Sequence, residues 1–313
     1  MQFWRRIQLV FAIVALASLS GCLFRSHKVE SRISTAPLKQ ATESELVDRI
    51  NSQAVEIKTL NATVDISTSV GGWTKGKITQ YQSINGYILV RKPHMLRMIG
   101  LLPIVRNRAF DMVSNGQTFE LSIPPKNRFI VGRNDVNTHS TNQPLENLRP
   151  QHILDALLLH EIDPNDEIAV LENSYETVPD PKKKNKELQQ PDYVITVIHR
   201  GDAGWYLARK IVFSRVDLEP HEQIIYDKNG YTASDVKYGN FSKHEGMDFP
   251  NQIDIWRPQE EYSIDLTVQK LTLNQPLTDE QFTLQTPAGA QVVRLGTQNS
   301  SQQSGGDGET SRR

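Results

Sequence analysis

The chain has a single cysteine, Cys22, among its 313 residues. No internal disulfide can form, and no cysteine-based metal site can be assembled. Neither sign of charge is in excess, with 35 Lys and Arg against 36 Asp and Glu. A nucleic-acid binder needs a clustered basic face, and this balance provides no footprint for one. After residue 21 no long apolar run occurs, so nothing further in the sequence reads as a membrane-spanning helix. There is no G-x-S-x-G elbow, no Walker loop and no G-x-G-x-x-G. His160 and Glu161 begin a zincin-like pair, but Pro164 stands where the second histidine is needed. His199, His221 and His244 sit among strand or turn residues without ligand spacing. We therefore assign no catalytic residue, no metal ligand and no cofactor, and expect a non-enzyme; an unrecognised envelope hydrolase stays as a remote alternative.

What is present begins with the first residues. Arg5 and Arg6 precede a mostly apolar run over 7–19, which is the pattern of a secretory signal. The run is short for a spanning helix, which needs about 20 apolar residues. Leu19, Ser20, Gly21 and Cys22 follow. This four-residue pattern resembles the lipobox of bacterial signal peptidase II substrates, with small residues before the cysteine that takes up the lipid. The reading expects a signal over 1–21, an acylated Cys22, and a membrane anchor of two or three chains, since one chain holds only marginally. Leu23 follows where an aspartate usually retains proteobacterial lipoproteins in the inner membrane; its identity suggests the outer membrane, facing the periplasm. Loss of the two signal arginines leaves 33 basic against 36 acidic residues, a net charge of −3.

Residues 22–41 lack a sustained period and read as a lipidated tether. Thr42 and Glu45 have capping-box spacing, and Leu46, Ile50, Ala54 and Ile57 form one stripe, predicting a helix over 42–58. The period then changes to two, with Ala62, Val64 and Ile66 alternating with Thr63, Asp65 and Ser67. Asn-Gly pairs at 85–86, 115–116 and 229–230 are strong hairpin signals. Antiparallel strands are predicted over 87–91, 96–100, 108–114 and 117–123. A second series covers 167–172, 192–199, 205–214, 222–227, 231–238, 253–257 and 262–273. Between the series, Pro144, Leu145, Leu148, Ile153, Leu154, Leu157 and Leu158 predict a helix over 144–159. Residues 178–190, with Lys182, Lys183 and Lys184, read as a solvated insertion loop, with a lipid-headgroup contact as the alternative. Residues 297–313 lack apolar content and read as disordered. The folded domain is thus placed at 42–296.

Two stretches carry a family resemblance. The first is GYILVRKPHMLRMIGLLP over 86–103, followed by AFDMVSNGQTF over 109–119. The second runs from IIYDKNG at 224–230 through YGNF at 238–241, Phe249, Pro250, Ile253 and Ile255 to LTLNQPL at 271–277 and Phe282. In order and spacing they resemble the LolA/LolB-like superfamily of outer-membrane lipoprotein sorting factors over roughly 55–295. The resemblance implies a mainly β (α+β) fold: a strongly bent, incomplete antiparallel barrel closed by a few helices. It implies an apolar interior that receives acyl chains of lipoproteins or phospholipids, with Val64, Ile66, Ile88, Val90, Leu96 and Met98 as lining. It implies that Arg97 holds a helical lid, the alternative being an arginine on the outer face. It implies a membrane-contact loop at Leu101, Leu102 and Ile104, the alternative being that these side chains fold back to cap the core. The partners implied are acyl chains, the membrane through the anchor and a periplasmic carrier protein, with outer-membrane lipoprotein localisation as the role. The alternative within the superfamily is an RseB-like adaptor that senses lipid or lipoprotein and regulates a partner. The chain departs from the named proteins in its greater length, its 178–190 segment and its tail.

Overall fold

The structure is a computed structural model that describes residue 4 and residues 36–74, 76–135, 149–180 and 186–295. Cys22 and its lipobox, Pro144, Leu145, Leu148, Lys182–Lys184 and the tail 297–313 lie outside the described residues. The main unit comprises Ala36–Glu176 and Gln190–Arg313.

In chain order the elements are helix α1 (Glu43–Glu56) and strands β1 (Thr59–Val70), β2 (Thr79–Gln80), β3 (Ile84–Arg91), β4 (Met95–Leu101), β5 (Arg108–Ser114), β6 (Thr118–Ile123) and β7 (Arg128–Arg133). Helix α2 (Pro150–Leu157) follows. Then come β8 (Glu167–Pro179), β9 (Glu187–Gly201), β10 (Gly204–Ser214), β11 (Pro220–Tyr226), β12 (Thr232–His244), β13 (Met247–Arg257), β14 (Tyr262–Leu273), a 3-10 turn (Asp279–Phe282) and β15 (Gln291–Arg294). All strands join one sheet in the order β15-β7-β6-β5-β4-β3-β1-β14-β13-β12-β11-β10-β9-β8, with β2 paired to β1. Strand β15 pairs with β7 in parallel. The edges β15 and β8 do not pair, so the sheet is open.

Period-two alternation explains the layering. In β1, Leu60, Ala62, Val64 and Ile66 are buried, while Asn61 is exposed and Thr63 and Asp65 are half-buried. The same alternation in β3, β4, β6, β12, β13 and β14 builds one continuous core. Bulges at Thr63/Val64 in β1 and at Gly100/Leu101 in β4 add local bend. Gly86 and Gly100 pair directly across β3 and β4. A Cβ on Gly86 would lie 2.5 Å from the end of Ile66, and one on Gly100 would lie 2.3 Å from the Phe110 ring. The two glycines thus make room for the large side chains of Ile66 and Phe110.

The helices fill separate places. Helix α1 starts at the expected capping box, with Thr42 Oγ1 accepting from the Glu45 N–H and the Glu45 carboxylate accepting from the Thr42 N–H. Leu46 and Ile50 pack on Tyr193, Ile195, Val197, Ile211 and Phe213 of β9 and β10. Helix α2 begins with proline at its first turn, where no N–H is missed. Its Ile153, Leu154, Ala156 and Leu157 enter the main core.

Several expectations change. The segment 178–190 is not a loop throughout: β8 continues to Pro179 and β9 begins at Glu187. Its described hairpin end is held by the Asp180 N–H donating to the Lys186 carbonyl at 2.7 Å and by Gln189 Nε2 donating to Thr177 Oγ1 at 2.7 Å. The described part of the second helix runs from Pro150 to Leu157, within the expected 144–159. Strands β7 and β15 and the hairpin of β12 and β13 through Glu245 and Gly246 were not anticipated. The end of the expected tether is already fixed to the main unit, where the Lys39 N–H donates to the Arg215 carbonyl at 2.6 Å.

Candidate functional site: an apolar cleft beside a buried helix

The inner faces of β1, β4, β5, β6 and β14 do not meet fully. Between them lies a cleft lined by Ile66, Val70, Met98, Phe110, Leu121 and Ile264, with Tyr81 beside it. The cleft holds about 70 Å³, room for a few waters. Among its few polar groups, the Ser69 and Ser263 hydroxyls bond each other at 2.8 Å across β1 and β14. Phe110 and Ile66 occupy the space that Gly86 and Gly100 leave open, so the glycine pair shapes the cleft wall.

Helix α2 occupies the neighbouring part of the same concavity. Burial of each of its large apolar side chains is worth about 1.5–3 kcal/mol, and polar fastenings fix its C-terminal turn. Tyr238 Oη donates to the Ala156 carbonyl at 2.9 Å, and Gln223 Nε2 donates to the Asp155 carbonyl at 3.0 Å. These bonds satisfy two of the carbonyls that a helix end leaves open. His152, also on α2, is kept well below the usual imidazole range by burial and by the nearby Arg257 and Arg149 cations, so it is neutral at physiological pH. Arg257 itself is paired with Glu260 at 2.8 Å.

The residues expected to line the cavity fall into two groups. Ile66 and Met98 face the cleft. Val64, Ile88, Val90 and Leu96 are buried in the continuous core beside it. Phe110, Leu121, Ile123 and Ile264 also line it and were not singled out from the sequence. Alternation in 117–123 placed Leu121 and Ile123 on one face, but nothing local told which face closed the cleft.

Arg97 requires a correction. Strand alternation turns it away from Leu96 and Met98, both buried inward. Its Nε and Nη2 donate to the two carboxylate oxygens of Asp111 at 3.0 and 2.8 Å, and its Nη1 donates to the Gln281 carbonyl at 2.9 Å. It therefore holds the 3-10 turn of the C-terminal segment on the outer face, not helix α1 or α2. Arg91, on the neighbouring strand β3, does the same, bonding the Leu277 carbonyl and Asp279 and lying over the Phe282 ring.

The expected membrane loop is also redrawn. Leu101 belongs to β4 and pairs with Arg108, and both Leu101 and Leu102 are half-buried. The exposed apex is Ile104, 99 % exposed, with Val105 beside it. The Val105 N–H donates to the Pro103 carbonyl at 2.8 Å, and Ile104 has φ 68°. That is the rare γ-turn form, costly for a β-branched residue.

Among the described residues no group of three or more His, Cys, Asp and Glu could hold a metal ion. Glu222 is pushed up to about 7 by burial and then by the neighbouring Asp235. Gln223 beside it points inward to α2, so alternation sends Glu222 to the opposite face from the cleft.

No family model matches the sequence, and no curated protein matches it significantly. Solved structures do resemble the fold. A DUF1329 family protein from Desulfovibrio piger matches at TM-score 0.50 and 15% identity, over 77% of this chain and 95% of that one. A LolA superfamily protein from Nitrosomonas europaea matches at TM-score 0.46 and 14% identity, over 78% and 99%. A Vibrio parahaemolyticus domain assigned to outer membrane lipoprotein sorting matches at 0.45 and 10%, over 76% and 94%. The likeness extends to the fold alone: one large open, mainly antiparallel sheet, similar to that of the DUF1329 family protein.

Proposed function

We propose that this chain is an envelope lipoprotein that binds acyl chains of lipoproteins or lipids in its apolar cleft and aids their placement in the outer membrane. Cys22 carries the anchor, and the domain faces the periplasm, where a carrier protein delivers cargo. The role is binding, without catalysis. The observation that carries the reading is the apolar cleft between β1, β4, β5, β6 and β14, beside a helix that fills the rest of the concavity. Burying a methylene is worth about 0.8 kcal/mol, so a chain of ordinary length needs no special chemistry to bind. The cleft holds about 70 Å³ and is partly open to solvent, so an acyl chain enters at its mouth and advances as the lining side chains give way. The apex Ile104 and Val105, with half-buried Leu101 and Leu102 behind them, supply the membrane contact.

Native mass spectrometry of the unlipidated Cys22→Ala chain tests the reading: a co-purifying lipid or lipopeptide is expected. Met98→Trp, which fills the cleft at about 1–3 kcal/mol of overpacking, is expected to abolish uptake of a fluorescent fatty acid. Uptake unchanged in a folded Met98→Trp chain defeats the proposal.

A further inference from the structure

We propose that the connections at one end of the β1–β7 half form a docking surface for an anionic bilayer, with Trp73 as its principal insertion. The inference rests on the acyl-binding reading and extends the β4–β5 loop contact to two further connections, with Trp73 as a new insertion. The registers put three connections at this end. Ile66 pairs with Ile84, Gly86 with Gly100, Leu101 with Arg108, and Ile123 with Arg128. Residues 71–74, 76–83, 102–107 and 124–127 therefore share one rim, over strands that are contiguous in the sheet.

Two properties of this rim point to a bilayer. The first is apolar exposure. Trp73 is fully exposed, and Ile78, Tyr81, Ile104 and Val105 are exposed with it. At the other end of the same strands, the connections 92–94 and 115–117 expose no large hydrophobic residue. Tryptophan and tyrosine are the side chains enriched where membrane meets water. The second is charge. None of the three connections contains Asp or Glu, and each has a basic residue: Lys77, Arg106 and Lys126, all exposed. Further along the same end the turns are not basic: 227–231 holds both Asp227 and Lys228, and in 258–261 Glu260 is paired with Arg257 and Glu261 is buried. Within these three connections the exposed basic residues thus lie among exposed apolar ones, as an anionic headgroup layer requires.

Trp73 is also held in place. The Gly71 N–H donates to the Glu261 carbonyl at 2.8 Å, and the Thr74 N–H donates to the Glu261 carboxylate at 2.6 Å. Gly71 has φ +112°, and a Cβ there would lie 1.9 Å from the Lys77 carbonyl oxygen. The loop is drawn tightly around Glu261, which is itself buried, and the indole is left facing solvent. Val70, Tyr81 and Phe110 line the cleft and adjoin these loops. A bilayer seated on the rim therefore meets the cleft mouth, so an acyl chain moves between the two without crossing water.

The test uses the full mature chain with Cys22→Ala and vesicles of phosphatidylcholine with or without phosphatidylglycerol. Binding is expected to the anionic vesicles and to weaken with salt. Trp73→Ala is expected to weaken it at least about tenfold, given the area an indole buries. Lys77→Ala is expected to weaken it about fivefold, the worth of one basic residue near an anionic surface. Both variants should keep the parent's melting temperature and its uptake of fluorescent fatty acid in solution. Quenching of tryptophan by bromine-labelled acyl chains should fall in Trp73→Phe. Vesicle binding unchanged by Trp73→Ala overturns the proposal. Failure of the parent to bind any vesicle also overturns it and leaves a protein as the occupant of the rim. Loss of fatty-acid uptake in the parent, with vesicle binding still sensitive to Trp73, defeats the acyl-binding reading alone.

Discussion

Replacing Arg97 with leucine separates an outer-face strut from a lid contact. The Asp111 side chain is 1 % exposed and takes two bonds from Arg97, with Arg108 Nη1 as a further partner at 3.0 Å. Removing one partner of a buried ion pair costs about 3–5 kcal/mol, because the other charge stays buried. Arg108 is 54 % exposed and remains, so the lower end, about 3 kcal/mol, is expected. For a domain of this size about 2–4 °C accompanies each kcal/mol, which gives a fall of roughly 6–12 °C in melting temperature. Loss of the Arg97 bond to the Gln281 carbonyl should also loosen the C-terminal segment, so limited proteolysis should cut after residue 274 sooner. Arg97→Leu with Asp111→Leu should recover much of the loss, since an apolar pair leaves no buried charge. Uptake of fatty acid per folded molecule should not change. A shift of less than about 2 °C, or loss of uptake at an unchanged melting temperature, refutes the strut and returns Arg97 to a lid.

Cys22→Ala should yield a chain that no longer partitions into detergent or takes up labelled palmitate; continued labelling would place the lipid elsewhere. Ile104→Gly should raise stability by about 1 kcal/mol by removing left-handed strain while weakening vesicle binding, whereas loss of stability would mean that Ile104 packs on the domain. Glu222 sits at about 7 in the folded chain, above its ordinary value of 4.5, through burial and Asp235. Its contribution is therefore fully present below about pH 4.5 and is lost as pH rises through about 7. The melting temperature should accordingly fall less between pH 5.5 and 8 in Glu222→Gln than in the parent; equal slopes would show that the carboxyl is unperturbed.

Local patterns in the sequence determined much of this protein. The Thr42–Glu45 capping box and the Leu46, Ile50, Ala54 stripe set α1 to within two residues at each end. Alternation set β5 and β14 at their full expected extents and placed Val64, Ile88 and Met98 inward. These signals are legible because each depends on neighbours within a few positions. What tertiary structure alone decided involves partners far apart in the chain. Strand β15 has only four residues and exists by pairing with β7, more than 150 positions earlier. Alternation could say that Arg97 faces away from Leu96, but not that Asp111 and the Gln281 carbonyl wait there. The run from Leu101 to Ile104 read as one apolar loop. Its division into half-buried leucines and an exposed isoleucine came from the Leu101–Arg108 pairing and the turn that follows. The cleft was out of reach for the same reason: its walls come from five strands between residues 59 and 273, and only their mutual bend leaves space among them.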